Sequence, residues 1–148
     1  MKIGILGSGA LGSVIGGLLI EAGYETIMLE RDESEVRRVS QAGYWLEGVS
    51  GERYIKPRMM GIESGIPSVD LAIVVVKSYD TFKATEALSR LLADGGVALT
   101  LQNGIGNFEI LEKAFPGRVL LGTTTIGAMT TGPSRFRHTG FGATTFGE

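Results

Sequence analysis

No cysteine occurs in this sequence. That excludes a disulfide framework, a thiolate metal centre and a cysteine nucleophile. There is one histidine, His138, in the basic strand-like piece RFRHTG. It has no partner at catalytic spacing and is expected to be exposed. Positive charge is not in excess: 14 Lys and Arg stand against 16 Asp and Glu, a formal net charge of −2. Nucleic acid is therefore not an expected partner. A cytoplasmic location is compatible with this composition. Long apolar runs are scarce too. The nearest approach is Met1-Lys2 followed by uncharged residues from Ile3 to Ile20. Glycines 4, 7, 9, 12, 16 and 17 and serines 8 and 13 make that stretch a poor continuous helix. It divides instead into a short strand and an amphipathic helix, so neither an export signal nor a membrane span is expected.

With 43% apolar and 20% charged residues, the 148-residue chain fits one globular domain, residues 1–148, without internal repeat or linker. Glycine is the outlier, 23 in all, about twice the usual share. Lys2 to Leu6 reads as a strand and Gly7 to Gly9 as a turn. Apolar residues at 11, 14, 15, 18, 19 and 22 then mark one helical face that stops at Gly23. A second strand is expected over Glu25 to Leu29 and a charged helix over Asp32 to Ala42. Residues 44 to 67 suggest two short strands, at Tyr44 to Leu46 and Arg53 to Ile55, with Pro57 and Pro67 barring long elements. The regular alternation resumes with a strand over Leu71 to Val76, a helix near 80 to 93 closed by Gly95-Gly96, and a strand over Val97 to Leu101. A helix near 106 to 115 and a strand over Val119 to about Thr124 follow. Two short strand-like pieces, near Arg135 to His138 and Ala143 to Phe146, occupy the tail. Trp45, Tyr54, Met59 and Met60 read as core or an interdomain surface. Strands alternating with helices imply an α/β, doubly wound, mostly parallel sheet with helices on both faces.

The segment GSGALG, Gly7 to Gly12, matches G-x-G-x-x-G. Alone the pattern is weak. Here it joins the first strand to an amphipathic helix, and the acidic Glu30 ends the second strand, the context of the dinucleotide fingerprint. Gly7 permits the turn, Gly9 lets the backbone approach a pyrophosphate, and Gly12 lets the helix pack closely. The helix amino terminus supplies unpaired N–H groups to the anion. Glu30-Arg31 points two ways. An acid here binds ribose hydroxyls and favours NAD; an adjacent arginine can pair with a 2′-phosphate and favours NADP.

Lys77 follows the buried run LAIVVV at the carboxyl edge, where open parallel sheets bind ligands. The next strand runs into QNGIGN, with Asn103 as amide donor and acceptor. The one after it runs into GTTTIGA, where Gly127-Ala128 leaves room for a flat group. Singly each has a plain explanation: a surface cap, an Asn-Gly turn, β-forming threonines. Together they bring a cation, an amide and little bulk to one crevice, which favours a nicotinamide dinucleotide site.

The pieces MKIGILGSGALGS, VVVKSYD, LQNGIGN, LLGTTTIGA and HTGFGATTFGE, in this order, resemble the amino-terminal nucleotide-binding domain of the ketopantoate reductase family. The resemblance implies a Rossmann-type fold and reduction of 2-dehydropantoate to pantoate, on the route to pantothenate and coenzyme A. NADP(H) is the implied cofactor, with NAD(H) left open by Glu30. Gly7, Ser8, Gly9, Ala10, Leu11 and Gly12 would form the pyrophosphate loop, and Arg31 would meet the 2′-phosphate. Lys77, Asn103 and Ala128 would line the cofactor, with Asn103 also near the substrate. Members run to about twice this length, and their helical second domain supplies the proton-donating lysine and most substrate contacts. No catalytic residue is therefore expected within these residues, and no metal. The implied partners are a small 2-keto acid and that helical domain, with a homodimer also compatible and no membrane. Cofactor binding with little turnover is expected of the chain as it stands. The alternative is a stand-alone NAD(P)(H) sensor or scaffold, for which the ordered Asn103 and Thr123-to-Ala128 segments have no obvious use.

Overall fold

The computed structural model describes residues 1–147. Eleven strands and four α-helices follow one another in the order β1 (Lys2–Leu6), α1 (Ala10–Glu21), β2 (Glu25–Glu30), α2 (Glu33–Ala42), β3 (Tyr44–Gly48), β4 (Arg53–Ile55), β5 (Arg58–Gly61), β6 (Val69–Val74), α3 (Thr81–Leu91), β7 (Leu92–Thr100), α4 (Asn107–Ala114), β8 (Val119–Thr124), β9 (Gly127–Gly132), β10 (Arg135–Gly140) and β11 (Thr144–Gly147). The principal sheet has strand order β11-β8-β7-β6-β1-β2-β5 and is parallel except for β11. This is the doubly wound arrangement expected of alternating strands and helices. The strand order reverses beside β1, which opens a crevice at the carboxyl ends of β1, β2 and β6.

Two apolar layers cover the sheet. On one face α3 and α4 bring Ala84, Ala87, Leu88, Leu91 and Leu111 onto Leu6, Ile27, Val74 and Ala98. On the other, α1 and α2 pack through Val14, Ile15 and Val39 together with a second, four-stranded sheet of order β4-β3-β10-β9. That second sheet was not foreseen. Its pivot is Tyr44, which is buried and lies edge-on to Phe136 at 5.4 Å. Its hydroxyl donates to the Ser13 carbonyl at 2.7 Å, tying β3 to α1. Burial pushes the phenol well above its ordinary pKa, so it stays a donor. No helix among the described residues is long and apolar enough to cross a membrane.

Local signals account for most boundaries. Asp32 caps α2, its carboxylate accepting from the Ser34 and Glu35 amides, and Gly43 ends the helix at φ 68°. Several expectations need correction. The strand expected over Leu71 to Val76 spans Val69–Val74, so Lys77 does not end it. Lys77 stands beyond it and leads a 3-10 turn over Ser78–Asp80. The chain after α3 is extended from Leu92 rather than closed at Gly95-Gly96, because Leu92 pairs with Val69 before an irregularity restores register at Leu71 and Val97. Strands β5 and β9 were missed. β5 is only RMMG behind Pro57, and β9 is GAMTTG, too small and polar to show an apolar alternation.

His138 is not exposed but 2% accessible. It faces inward on β10, as Phe136 does, since both lie on one face of the strand. Its Nδ1 meets Ser50 Oγ at 2.9 Å, and Nε2 has no partner among the described residues. Trp45 and Tyr54 are partly exposed and pack against each other edge to face at 5.7 Å, whereas Met59 joins the core.

Candidate functional site

Gly7 follows β1 at φ 110°, and its amide donates to the Leu29 carbonyl at 3.1 Å. A side chain there would face both an unfavourable backbone conformation and the Val76 amide nitrogen at 3.0 Å. Ser8 is buried, and its carbonyl accepts from Ser13 Oγ at 2.8 Å, pinning the loop to α1. Gly9 is the N-cap of α1 and no side chain caps that helix. The first amides of α1 are thus left without helical acceptors and without a competing carboxylate in the first turn. A Cβ on Gly9 would meet nothing within 4 Å, so the space before the helix is open. At Gly12 the opposite holds: a Cβ would lie 1.9 Å from the Gly7 carbonyl oxygen. Gly12 seats the helix; Gly9 leaves the approach clear.

Beside this loop lies a crevice of about 200 Å³ between the ends of β1, β2 and β6. Leu6, Gly7, Ser8 and Gly9 form one wall, and Leu29, Glu30, Arg31 and Ile62 form another. Val75, Val76 and Lys77 also line it, with Asp80 at the N-cap of α3 and Lys83, Ala84 and Ala87 of that helix. The alanines and Ile62 make an apolar slot of the kind that takes a flat heterocycle, and the rim is charged. Glu30 is heavily engaged. Its Oε1 accepts from the Arg31 and Asp32 amides at 2.8 and 3.0 Å, and Oε2 accepts from Ser8 Oγ at 2.5 Å. Arg31 reaches across the mouth, Nη1 donating to Asp80 Oδ1 at 2.8 Å.

Behind the crevice a polar lattice ties two loops together. Gln102 Nε2 donates to the Val76 carbonyl at 2.9 Å and to Thr81 Oγ1 at 2.8 Å. Thr81 Oγ1 in turn meets Asn107 Oδ1 at 2.8 Å, and Asn107 Nδ2 donates to the Asn103 carbonyl at 3.0 Å. Thr81 and Asn107 are buried, so this lattice fixes how the loops after β6 and β7 sit at the sheet edge.

Of the residues expected at the site, Gly7, Ser8, Gly9, Glu30, Arg31 and Lys77 line the crevice. Ala10, Leu11 and Gly12 form the first turn of α1 behind the loop, where Ala10 and Leu11 pack on the core. Asn103 and Ala128 do not line it. Asn103 is exposed on the loop after β7, and Ala128 is half-buried on β9 against the core. Asp80, Lys83, Ala84, Ala87 and Ile62 were missed. The first four recur at helical spacing and were open to discovery as one face of α3. Ile62 carried no such signal: it arrives because its amide donates to the Glu30 carbonyl at 3.1 Å after β5.

The family model described as ApbA, ketopantoate reductase PanE/ApbA, matches residues 3–148. A 2-dehydropantoate 2-reductase of Halobacterium salinarum is 40% identical over 150 residues, covering 100% of this chain and 49% of that protein. One from Pyrococcus abyssi is 36% identical, covering 99% and 47%. Among solved structures, 2-dehydropantoate 2-reductase from Geobacter metallireducens superposes with TM-score 0.90 at 28% identity, over 100% of this chain and 49% of that one. The ternary structure of D-mandelate dehydrogenase with NADH and anilino(oxo)acetate gives 0.91 at 28%, over 99% and 48%. The chain therefore spans about half the length of the relatives it matches.

Proposed function

The chain belongs to the ketopantoate reductase family, and on that premise we propose that it is the cofactor-binding half of an NADPH-dependent 2-keto acid reductase. Reduction of 2-dehydropantoate to pantoate, in the cytoplasm, is the reaction we assign to the whole enzyme, after the names of its relatives. The observation that carries the reading is the crevice in which an uncapped helix amino terminus, an apolar slot and a charged rim with Arg31, Lys77 and Lys83 adjoin one another.

In this reading the α1 amino terminus and the Gly7–Gly9 backbone hold the pyrophosphate, and the slot over Ala84 and Ala87 holds the adenine. Arg31, with Lys77 beside it, holds the 2′-phosphate as a charge-assisted hydrogen-bond donor. The nicotinamide, when bound, supplies the hydride. Asn103, exposed beyond β7 with its backbone held by Asn107, is the group of this chain offered to the substrate end. A helical second domain supplies the acid that protonates the carbonyl oxygen and most of the substrate contacts.

Fluorescence titration with NADPH and NADH at fixed ionic strength tests the reading, together with Arg31→Ala and Lys77→Ala. Micromolar NADPH binding, weakened roughly tenfold by Arg31→Ala, is expected. Tighter NADH binding, indifferent to Arg31→Ala, would give Glu30 the deciding role instead. Binding of neither dinucleotide would remove the cofactor assignment.

A further inference from the structure

We propose that Asp80 is a positioning residue that sets the discrimination between NADP(H) and NAD(H), by competing with the 2′-phosphate for Arg31. The inference rests on the cofactor assignment above and deepens it. Asp80 stands at the N-cap of α3 yet makes no capping bond. Its side chain spends its one hydrogen bond among the described residues on Arg31 Nη1, at 2.8 Å. The two partners are unequally held: the Arg31 side chain is 58% exposed and that of Asp80 only 15%. The carboxylate is the more buried partner, favoured by its place at a helix amino terminus. The guanidinium is the movable arm.

Glu30 makes the two dinucleotides differ. Its Oε1 already accepts two amides and its Oε2 one hydroxyl, which leaves a lone pair on Oε2 for a ribose hydroxyl. NAD(H) therefore binds with the Arg31–Asp80 bridge intact. A 2′-phosphate makes a different demand. It carries about −1.5 to −2 charges at pH 7, needs the guanidinium turned towards it, and lies near two carboxylates. Lys77 and Lys83 offset that repulsion only in part. Removing the Asp80 charge frees Arg31 and lifts one repulsion. An exposed ion pair is worth at most about fivefold in an equilibrium, and the lifted repulsion adds a factor of similar size in a solvated crevice. A gain of roughly five- to twentyfold for NADP(H) follows.

The test titrates the full chain, Asp80→Asn and Asp80→Glu with NADPH and NADH, and with 2′,5′-ADP and 5′-AMP to isolate the adenosine half. In Asp80→Asn, NADPH and 2′,5′-ADP should tighten by roughly five- to twentyfold, while NADH and 5′-AMP stay within about twofold. Asp80→Glu, which keeps the charge, should keep the original preference. An unchanged NADPH-to-NADH ratio in Asp80→Asn would overturn the inference and leave the cofactor assignment standing. So would an equal change for both dinucleotides, because a merely structural role moves them together. Failure of the unsubstituted chain to bind either dinucleotide would overturn both.

Discussion

Substituting Gly12 by alanine sets two physical effects against each other. Gly12 lies inside α1, where alanine is favoured over glycine by about 1 kcal/mol on helix propensity. Sterics oppose this. The added Cβ would sit 1.9 Å from the Gly7 carbonyl oxygen and 3.1 Å from Val75 Cγ2. Real Cβ atoms essentially never approach closer than 3.0 Å, so the helix and the loop must part by at least about 1 Å. Neither yields readily. The loop is held by the Gly7 amide on the Leu29 carbonyl and by the Ser13 hydroxyl on Ser8, and β1 lies in the middle of the sheet. Overpacking of this kind costs about 1–3 kcal/mol, and displacing the helix amino terminus adds a loss of anion binding. A clash with backbone puts the cost in the upper part of that range, about 2–3 kcal/mol, so after about 1 kcal/mol of propensity the expected net is a loss of about 1–2 kcal/mol, a fall in Tm of roughly 3–8 °C for a domain of this size. NADPH binding should also weaken at least about tenfold. Gly9→Ala is the control. Its Cβ meets nothing within 4 Å and its φ is −66°. Stability should therefore stay within about 1 kcal/mol, while binding falls because the methyl takes the space a pyrophosphate needs. Urea unfolding and a dinucleotide titration on the two variants separate the effects. A Gly12→Ala protein as stable as the parent would refute the account of how the helix is seated.

Tyr44→Phe should cost about 1 kcal/mol in urea unfolding, through loss of the hydroxyl bond to Ser13 in a buried site. His138→Leu should leave stability unchanged or raise it by up to about 1 kcal/mol, because it removes a buried nitrogen with no partner among the described residues while Ser50 Oγ keeps its bond from Arg53. A loss above about 2 kcal/mol would mean the imidazole is indispensable to the second sheet. Three carboxyls are held below their ordinary pKa: Glu21 by hydrogen bonds from Arg53, Asp32 by the Ser34 hydroxyl and amide, and Glu47 by Arg137. Depressed carboxyl values contribute stability that is complete above the unfolded-state value and lost as pH falls through the folded one. Tm should accordingly decline below about pH 4.5, and Asp32→Ala should flatten that decline while lowering Tm at pH 7.

Several features of the site needed nothing beyond local sequence. The glycines of GSGALG sit where a turn, an open approach and a close helix contact require them, because each demand is met within a few residues. Strand β8 spans the residues expected of it, Val119 to Thr124, and Asp32 and Gly43 bound α2 as caps do. Lys77 lines the crevice although its strand ends sooner than the apolar run implies: Val75 and Val76 lie beyond the last strand residue, line the crevice and pack on the core, and the Val75 amide still donates to the Leu6 carbonyl at 3.0 Å. Asn103 and Ala128, expected beside it from the strand ends, their chemistry and the family resemblance, are not among the residues that line this crevice.

What sequence order could not convey depends on pairs far apart in the chain. The second sheet joins β3 to β10, so the burial of His138 and the pivot at Tyr44 come from strands ninety residues apart (Arg135 opposite Trp45). The electrostatics of the crevice are of the same kind. Glu30 and Arg31 are neighbours that looked like rival cofactor ligands. The carboxylate meets the two amides that follow it locally, but folding adds Ser8, 22 positions away, and gives the guanidinium to Asp80, 49 positions away. Periodicity and turn chemistry act over a few residues and so are written in local sequence. Which charge meets which is a matter of distance in space, and that exists only once β1, β2 and β6 lie side by side.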